Sequence, residues 1–177
     1  GKYRKTHIPE GRNEQAGFYE KFYFEPNNGK QNNHSPHNIS CSPYFPVIAT
    51  EKANIGLMIC YDRHFKEVIT TLVDQGAEVI FCPSASFGQV SKKLWDVDFI
   101  SDALKYRVFI GGNNRCGAEL PWNVEFFGSS YFAGPEGRLE DQCDHPNLYV
   151  ADLNLDLVRG SHPAGWNIIR DRRKNIY

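Results

Sequence analysis

Long apolar runs, an excess of basic residues and a regular cysteine pattern are all missing from this 177-residue sequence. The longest apolar runs, at residues 55–60 and 79–82, are far shorter than the roughly 20 residues that cross a bilayer. We therefore expect no membrane segment. Lys and Arg number 20 against 21 Asp and Glu, so the chain has no bulk positive field for a phosphate backbone, and we expect no nucleic-acid partner.

Cysteine usage and the start of the chain favour a reducing compartment. The 5 cysteines have no framework spacing, and no charged-then-apolar leader precedes the first structured segment. We therefore expect a cytoplasmic location. With 41% hydrophobic and 14% aromatic residues, the chain has the composition of a globular protein with a core, and its length predicts a single domain over residues 1–177.

Short apolar runs alternate with helical periodicity, which predicts successive β-α-β units and an α/β fold. The predicted elements are strands at 55–59, 78–81 and 108–112 and helices at 65–73 and 91–106. Gly76 stands where a C-terminal helix cap belongs. Further along, strands are predicted at 129–132 and 148–153, joined by a turn at 135–137.

Two polar segments interrupt or end this pattern. A stretch at about 27–45, rich in Asn, Ser, His and Pro, cannot supply a core face and predicts a loop insertion. The basic tail at 170–177 is expected to be exposed.

A cysteine at the end of a predicted strand is the most informative residue for chemistry. Cys60 lies where strand 55–59 meets an amphipathic helix, the setting of a nucleophile elbow. The positive end of the helix dipole stabilises thiolate, which is the attacking species. The residues alone leave open two alternatives: a buried cysteine acting as a small hydrophobe, and a Cys–His acyl transferase with His64 as its base.

Several motifs, in order along the chain, resemble the carbon–nitrogen hydrolase (nitrilase) superfamily. The three longest are Tyr3-Arg4-Lys5-Thr6-His7-Ile8-Pro9, Glu20-Lys21-Phe22-Tyr23-Phe24 and Ile55-Gly56-Leu57-Met58-Ile59-Cys60-Tyr61-Asp62-Arg63. Shorter ones are Pro83-Ser84-Ala85, Asn114-Arg115-Cys116-Gly117 and Phe127-Gly128-Ser129-Ser130. The resemblance covers nearly the whole chain except the Asn-rich insertion, and is closest to the β-ureidopropionase, N-carbamoyl amino acid and N-carbamoylputrescine amidohydrolase branches.

This resemblance implies a catalytic set of Cys60, Lys5 and Glu20. Cys60 is the implied nucleophile, while the ammonium of Lys5 and the backbone N–H of Tyr61 are the implied oxyanion donors. Such donors are needed because thiolate attack turns a neutral carbonyl into an oxyanion. Glu20 is implied to orient the lysine or the proton path, with Glu14 as the fallback for that role.

The general acid/base of the family is a further glutamate that precedes the lysine by many tens of residues. Only four residues precede Lys5 in this sequence. We therefore expect the N-terminal part of the family domain to be missing, so that residues 1–177 form its C-terminal two thirds. Asp62, directly after the nucleophile, is expected to cap its helix rather than to replace that glutamate.

Arg63 and His64 are the implied substrate-binding residues. A planar guanidinium fork suits the carboxylate of an N-carbamoyl amino acid. An N-carbamoylputrescine-type amine would instead need an acidic pocket, and Asp62 and Glu67 leave that alternative possible. The implied reaction is hydrolysis of a ureido or amide C–N bond, with ammonia and carbon dioxide released from a ureido substrate and no metal or cofactor. The alternative is a catalytically incomplete remnant that serves as a structural or assembly module.

For the fold, the resemblance implies an N-terminally incomplete, four-layer α-β-β-α sandwich. It also implies a homodimer or a larger homo-oligomer. Residues 156–177 are the candidate interface segment.

Overall fold

A computed structural model describes residues 2–30 and 35–176. Its ten strands are β1 Glu10–Arg12, β2 Gly17–Tyr19, β3 Val47–Ala49, β4 Asn54–Leu57, β5 Val79–Ser84, β6 Phe109–Asn114, β7 Cys116–Glu119, β8 Val124–Phe127, β9 Tyr131–Gly134 and β10 Gly137–Arg138. Six of them form one sheet in the order β10-β9-β6-β5-β4-β3, and β1-β2 and β7-β8 are separate hairpins. The central strands β4, β5 and β6 are parallel, and the outer pairs are antiparallel.

The α-helices of the described residues are α1 Lys66–Asp74, α2 Gln89–Tyr106, α3 Asp156–Arg159 and α4 Ile168–Asp171, with 3₁₀ helices at Glu20–Phe22, Cys60–His64 and Lys174–Ile176. The first two α-helices connect the parallel strands. Helix α1 follows β4 and α2 follows β5, which confirms the predicted β-α-β units and the α/β fold. The predicted cap is also confirmed, since Gly76 has a φ of +88° and its N–H bonds the carbonyl of Val73.

The two faces of the sheet carry different cores because strand side chains alternate. Ile80 and Ile110, paired across β5 and β6, point to the face covered by α1 and α2. Trp95 and Phe99 of α2 lie so close to the sheet that a side chain at Gly112 would collide with the Phe99 ring. On the other face, Val79 and Phe109 pack with leucines of the C-terminal segment, namely Leu139, Leu153, Leu155 and Leu157.

The strand predicted at 148–153 is wrong, because no strand is present there in the described part of the chain. Its alternating apolar residues pack on the sheet without pairing with a strand. The Tyr149 ring lies near Phe132, and Leu153 packs in the core formed by Val79 and Phe109. The neighbouring backbone is held by Asp141, whose carboxylate accepts the N–H of Val150. The turn predicted at 135–137 exists, but it joins β9 to β10.

Three further observations concern the outer parts of the fold. None of the helices within residues 2–30 and 35–176 is long and apolar enough to cross a membrane. The segment predicted as an interface folds back on its own chain, where α4 contacts α1 and α2 and Arg172 pairs with Asp74 at 2.6 Å. Residues 31–34 of the predicted insertion lie outside the described residues, and the insertion and single-domain assignments stay predictions.

Candidate active site

Cys60 lies in a sharp turn at the carboxyl end of β4. Ile59 is extended, with a φ of −125°, and Cys60 switches to a φ of +50° as the first residue of the 3₁₀ helix Cys60–His64. Left-handed backbone is uncommon in a residue with a side chain, and such conformations cluster at functional sites. The turn leaves the thiol half-buried, as a nucleophile elbow does.

Asp62 ties this turn to the N-terminal segment. Its carboxylate is fully buried and accepts hydrogen bonds from the Tyr3 hydroxyl at 2.6 Å and from the backbone N–H of His7 at 2.9 Å. The His7 ring Nδ1 lies 2.8 Å from the same carboxylate. Asp62 also accepts the N–H of Ile59 at 3.0 Å, which is the capping contact expected from the sequence.

Lys5 therefore lies between two residues that are anchored to the Cys60 turn. Its Nζ is 2.6 Å from Oε2 of Glu20, and the lysine side chain is only 16% exposed. Glu14, the fallback for Glu20, has another function in the fold: its Oε1 accepts the N–H of Gln89 at the start of α2. The structure thus brings Lys5 together with Glu20 rather than with Glu14, while the catalytic roles of Lys5 and Glu20 stay predictions.

Tyr61 directly follows Cys60 in the first turn of the 3₁₀ helix. Backbone N–H groups in a first helical turn have no intrahelical acceptor, so this N–H is available to an oxyanion. The Tyr61 ring packs edge-on against His64 and Phe65. It also lines a cleft of about 600 Å³ between the N-terminal segment and the start of α1, a cleft whose lining does not include Cys60.

Arg63 lies inside the protein, and its predicted substrate-binding role stays a prediction. Its side chain is 2% exposed, so it has no open face for a substrate carboxylate. The guanidinium donates to the carbonyl of Cys60 at 2.9 Å and to Ser91 at 3.0 Å, and its Nε lies 3.5 Å from Asp98. It also stacks over the Trp95 ring at 5.3 Å. This geometry favours a residue that supports the Cys60 turn from inside the protein.

His64 stays closer to the surface than Arg63. Its side chain is 24% exposed, and its Nδ1 lies 3.5 Å from the carboxylate of Asp98. His64 therefore keeps a face that a substrate can reach, and its substrate-binding role stays a prediction.

Ser86 and Asn114 complete the site from the ends of the two neighbouring parallel strands. Ser86 follows β5, and its Oγ lies 3.7 Å from the Cys60 Sγ and 3.4 Å from Arg63 Nη1. Asn114, the last residue of β6, fixes the Ser86 backbone: its side chain accepts the Ser86 N–H at 2.7 Å and donates to the Ser86 carbonyl at 3.0 Å. The carboxyl ends of parallel strands are where α/β proteins place their sites.

The remaining cysteines differ from Cys60 in their surroundings. Burial raises the pKa of the Cys82 thiol to about 12, so Cys82 stays a thiol at neutral pH. Cys41 and Cys116 are exposed, and Cys143 is half-buried. Within residues 2–30 and 35–176, no group of three or more His, Cys, Asp or Glu side chains is arranged to hold a metal ion.

Sequence reasoning missed the contacts that hold the site together. Asp62 was expected to cap its helix or to contribute to an acidic pocket, and nothing in its neighbourhood in sequence indicates partners at Tyr3 and His7. Ser86 carried no signal at all. Asn114 was found only as part of a motif, without a function.

The comparisons with known proteins agree with the motifs. The carbon–nitrogen hydrolase family profile matches residues 1–162. An N-carbamoylputrescine amidase from Arabidopsis thaliana is 32% identical over 191 aligned residues, which cover 100% of this chain and 58% of that protein. A β-ureidopropionase from the same plant is 27% identical, with 100% of this chain and 43% of that protein covered. The chain thus spans 58% of the length of the first relative and 43% of the length of the second.

A solved structure shares the fold. The crystal structure of a carbon–nitrogen hydrolase from Helicobacter pylori G27 superposes with a TM-score of 0.73 at 28% sequence identity. The match covers 99% of this chain and 59% of that chain.

Proposed function

The chain belongs to the carbon–nitrogen hydrolase family, and on that premise we propose that it carries the nucleophile of a cysteine-dependent hydrolase acting on N-carbamoyl substrates. One observation carries the proposal. The segment that bears Lys5 is fixed through Tyr3 and His7 to Asp62, two positions after Cys60. The backbone that bears Lys5 and the turn that bears Cys60, from distant parts of the sequence, are thereby tied to each other.

The proposed reaction begins with attack of the Cys60 thiolate on the ureido carbonyl carbon. The C=O electron pair moves to oxygen, and the resulting oxyanion is stabilised by Lys5 and the backbone N–H of Tyr61. Collapse of this intermediate breaks the C–N bond to the terminal nitrogen, which takes up a proton from solvent and leaves as ammonia, so that an N-substituted carbamoyl group remains on sulfur. Attack of water then releases the enzyme. In total, one ureido group and one water give an amine, carbon dioxide and ammonia.

Glu20 has a positioning function in this scheme. Its contact with Lys5 at 2.6 Å fixes the rotamer of a long, flexible side chain, so that the ammonium is already in place when negative charge develops. The same contact keeps a second charge beside the cation. Replacement of Glu20 by Gln therefore tests whether position or charge matters more.

The ureido class is proposed from the similar proteins, and the buried position of Arg63 bears on the choice within it. An N-carbamoyl amino acid needs a cation for its carboxylate, and Arg63 has intramolecular partners instead. His64, partly exposed, is the remaining candidate on this turn. N-carbamoyl amines and N-carbamoyl amino acids are therefore both included in the substrate panel.

The test is ammonia release from N-carbamoylputrescine, N-carbamoyl-β-alanine and a simple aliphatic amide. We expect turnover of at least one ureido substrate, and its loss in Cys60→Ala. Cys116→Ala, which removes an exposed thiol outside the proposed site, is the matched control. Turnover retained by Cys60→Ala would exclude the proposal.

A second candidate, a catalytically incomplete module with a structural or assembly function, is favoured by the engagement of the nearby carboxylates. Asp62 accepts from Tyr3, His7 and Ile59, and Glu20 is paired with Lys5, which leaves neither placed as a free acid/base. A module of this kind would still acylate at Cys60 without turning over. Intact-mass analysis after incubation with substrate separates the two, because a stable adduct without ammonia release in repeated cycles indicates the module.

A cytoplasmic location and a homo-oligomeric assembly complete the proposal. Subcellular fractionation tests the first, and size-exclusion chromatography with light scattering tests the second. A clean monomer would count against the assembly.

A further inference from the structure

Ser86 is the side chain whose contact with the Cys60 sulfur no motif explains. Its Oγ lies 3.7 Å from Sγ, within the range of a hydrogen bond to sulfur. Ser86 is 5% exposed, so water does not compete freely for this hydroxyl. A buried hydroxyl has to use its hydrogen on some acceptor.

Arg63 determines which way that hydrogen points. Its Nη1 lies 3.4 Å from the Ser86 Oγ, and a guanidinium can only donate. The serine oxygen is therefore the acceptor towards Arg63, and the serine hydrogen is left for the cysteine sulfur. Since a thiolate has no proton of its own, Ser86 must be the donor whenever Cys60 is ionised.

The backbone of Ser86 is fixed independently of its hydroxyl. The Asn114 side chain binds both the N–H and the C=O of Ser86, and Asn114 is itself only 9% exposed. The Ser86 N–H and C=O thus form a two-point contact that a change of side chain at position 86 does not remove.

We propose that Ser86 is a catalytic residue that donates a hydrogen bond to the Cys60 thiolate, with Arg63 as the positioning residue that orients its hydroxyl. This inference rests on the proposed function in which Cys60 is the nucleophile. It adds a donor for the nucleophile before attack, distinct from the donors at the oxyanion. It also gives Arg63 a function that fits its buried position.

The other charged or titratable groups around this turn have to stay unchanged in the test. They are Asp62, Arg63 and His64 on the same turn, the neutral thiol of Cys82 on β5, Asp98 on α2, and Lys5 with Glu20 in the N-terminal part of the chain. Substitutions confined to position 86 leave all of them in place.

The experiment follows alkylation of Cys60 by iodoacetamide between pH 5.5 and 9.5, with peptide mass mapping to separate the five cysteines. We expect Ser86→Ala to move the midpoint of the pH–rate profile upward by about one pH unit. At pH values below the midpoint, this shift lowers the reactive fraction of Cys60 about tenfold. Ser86→Thr, which keeps a hydroxyl, should leave the midpoint within about 0.2 units, while its isostere Ser86→Val should behave like Ser86→Ala. The Thr and Val pair keeps the test valid even where Ser86→Ala destabilises the fold.

The matched control is Ser84→Ala. Ser84 lies two positions earlier, and its hydroxyl is 3.7 Å from the sulfur of Cys82 instead of Cys60. An unmoved midpoint in Ser86→Ala and Ser86→Val, or an equal shift in Ser84→Ala or Ser86→Thr, would overturn the proposal. Alkylation is measured without turnover, so a negative result for Ser86 leaves the proposed hydrolase function standing. Conversely, turnover retained by Cys60→Ala would exclude the hydrolase function, and it would not alter the alkylation profiles of the Ser86 variants.

Discussion

The hydroxyl of Tyr3 donates to the carboxylate of Asp62 at 2.6 Å, although 59 positions separate the two residues. Burial, together with the negative charge of Asp62, raises the pKa of Tyr3, so the phenol stays a donor throughout the neutral range. This contact joins the start of the described chain to the turn that holds Cys60. The turn that positions Cys60 is thus anchored to a segment that lies far away in sequence.

Replacing Asp62 by Asn should destabilise the fold strongly. One carboxylate oxygen of Asp62 accepts from Tyr3 and Ile59, and the other accepts from His7. An amide has only one oxygen, so the donors on one side would face an N–H₂ group inside the protein. Because charge-assisted bonds in a buried network are lost, we expect unfolding free energy to fall by about 3 kcal/mol, measured by urea denaturation. Asp144→Asn, at an exposed position, is the control and should change stability by less than about 0.5 kcal/mol.

Removing the Lys5 ammonium should reduce turnover without unfolding the protein. Loss of one oxyanion donor typically costs about 10²–10³ in kcat, and we expect Lys5→Ala to fall in that range with its melting temperature little changed. Lys21→Ala, 61% exposed, is the matched control. The opposite order, with His64→Ala inactive and Lys5→Ala mild, would instead identify a Cys–His acyl transferase.

Arg63 offers a test between a structural and a substrate-binding function. Arg63→Gln takes the guanidinium away from the partly buried carboxylate of Asp98, which keeps only His64 beside it, so we expect a loss of about 2 kcal/mol in urea denaturation, partly restored in the double variant with Asp98→Asn. If Arg63 instead binds a substrate carboxylate, the KM for N-carbamoyl-β-alanine rises while stability stays unchanged.

Stability should depend on pH through Asp102 of α2. Burial raises the pKa of this carboxyl from 3.8 to about 6, with Asp98 adding to the shift and Lys105 opposing it. The raised pKa means that the favourable contribution of the protonated form is complete below pH 3.8 and is lost as the pH rises through about 6.

Asp102→Asn therefore stabilises the protein at pH 8 and has little effect at pH 4. Because the side chain is partly exposed, we expect a gain of only about 1 kcal/mol at pH 8, measured by thermal unfolding at both pH values. Asp96→Asn, on the same helix and 43% exposed, should change stability by about the same amount at pH 4 and at pH 8. A gain of equal size at pH 4 would contradict the assignment of the effect to the ionised Asp102.

The sequence determined the β-α-β core because its signals are local. The apolar runs around Ile55 and Val79 and the periodicity of Val68, Ile69 and Leu72 need no partner to be recognised, and the structure confirms both strands and the helix between them. The residues at 148–153 show the limit of such signals. Their apolar side chains alternate because one side of the segment packs on the sheet. A segment that packs in this way has the same periodicity as a strand that pairs within a sheet, so the periodicity cannot distinguish the two.

The motifs likewise identified the family from residue order alone, since Lys5, Glu20 and Cys60 occur in the expected sequence. Only the tertiary structure decided which carboxylate meets Lys5, that Arg63 points inward, and that Ser86 and Asn114 complete the Cys60 turn. The reason is physical: a hydrogen bond requires its donor and acceptor within about 3 Å, or somewhat farther apart when sulfur takes part, and no local propensity encodes which distant residue arrives at that distance. For Cys60, Ser86 and Asn114 that choice is made when β4, β5 and β6 align in parallel and bring their carboxyl ends to one edge of the sheet.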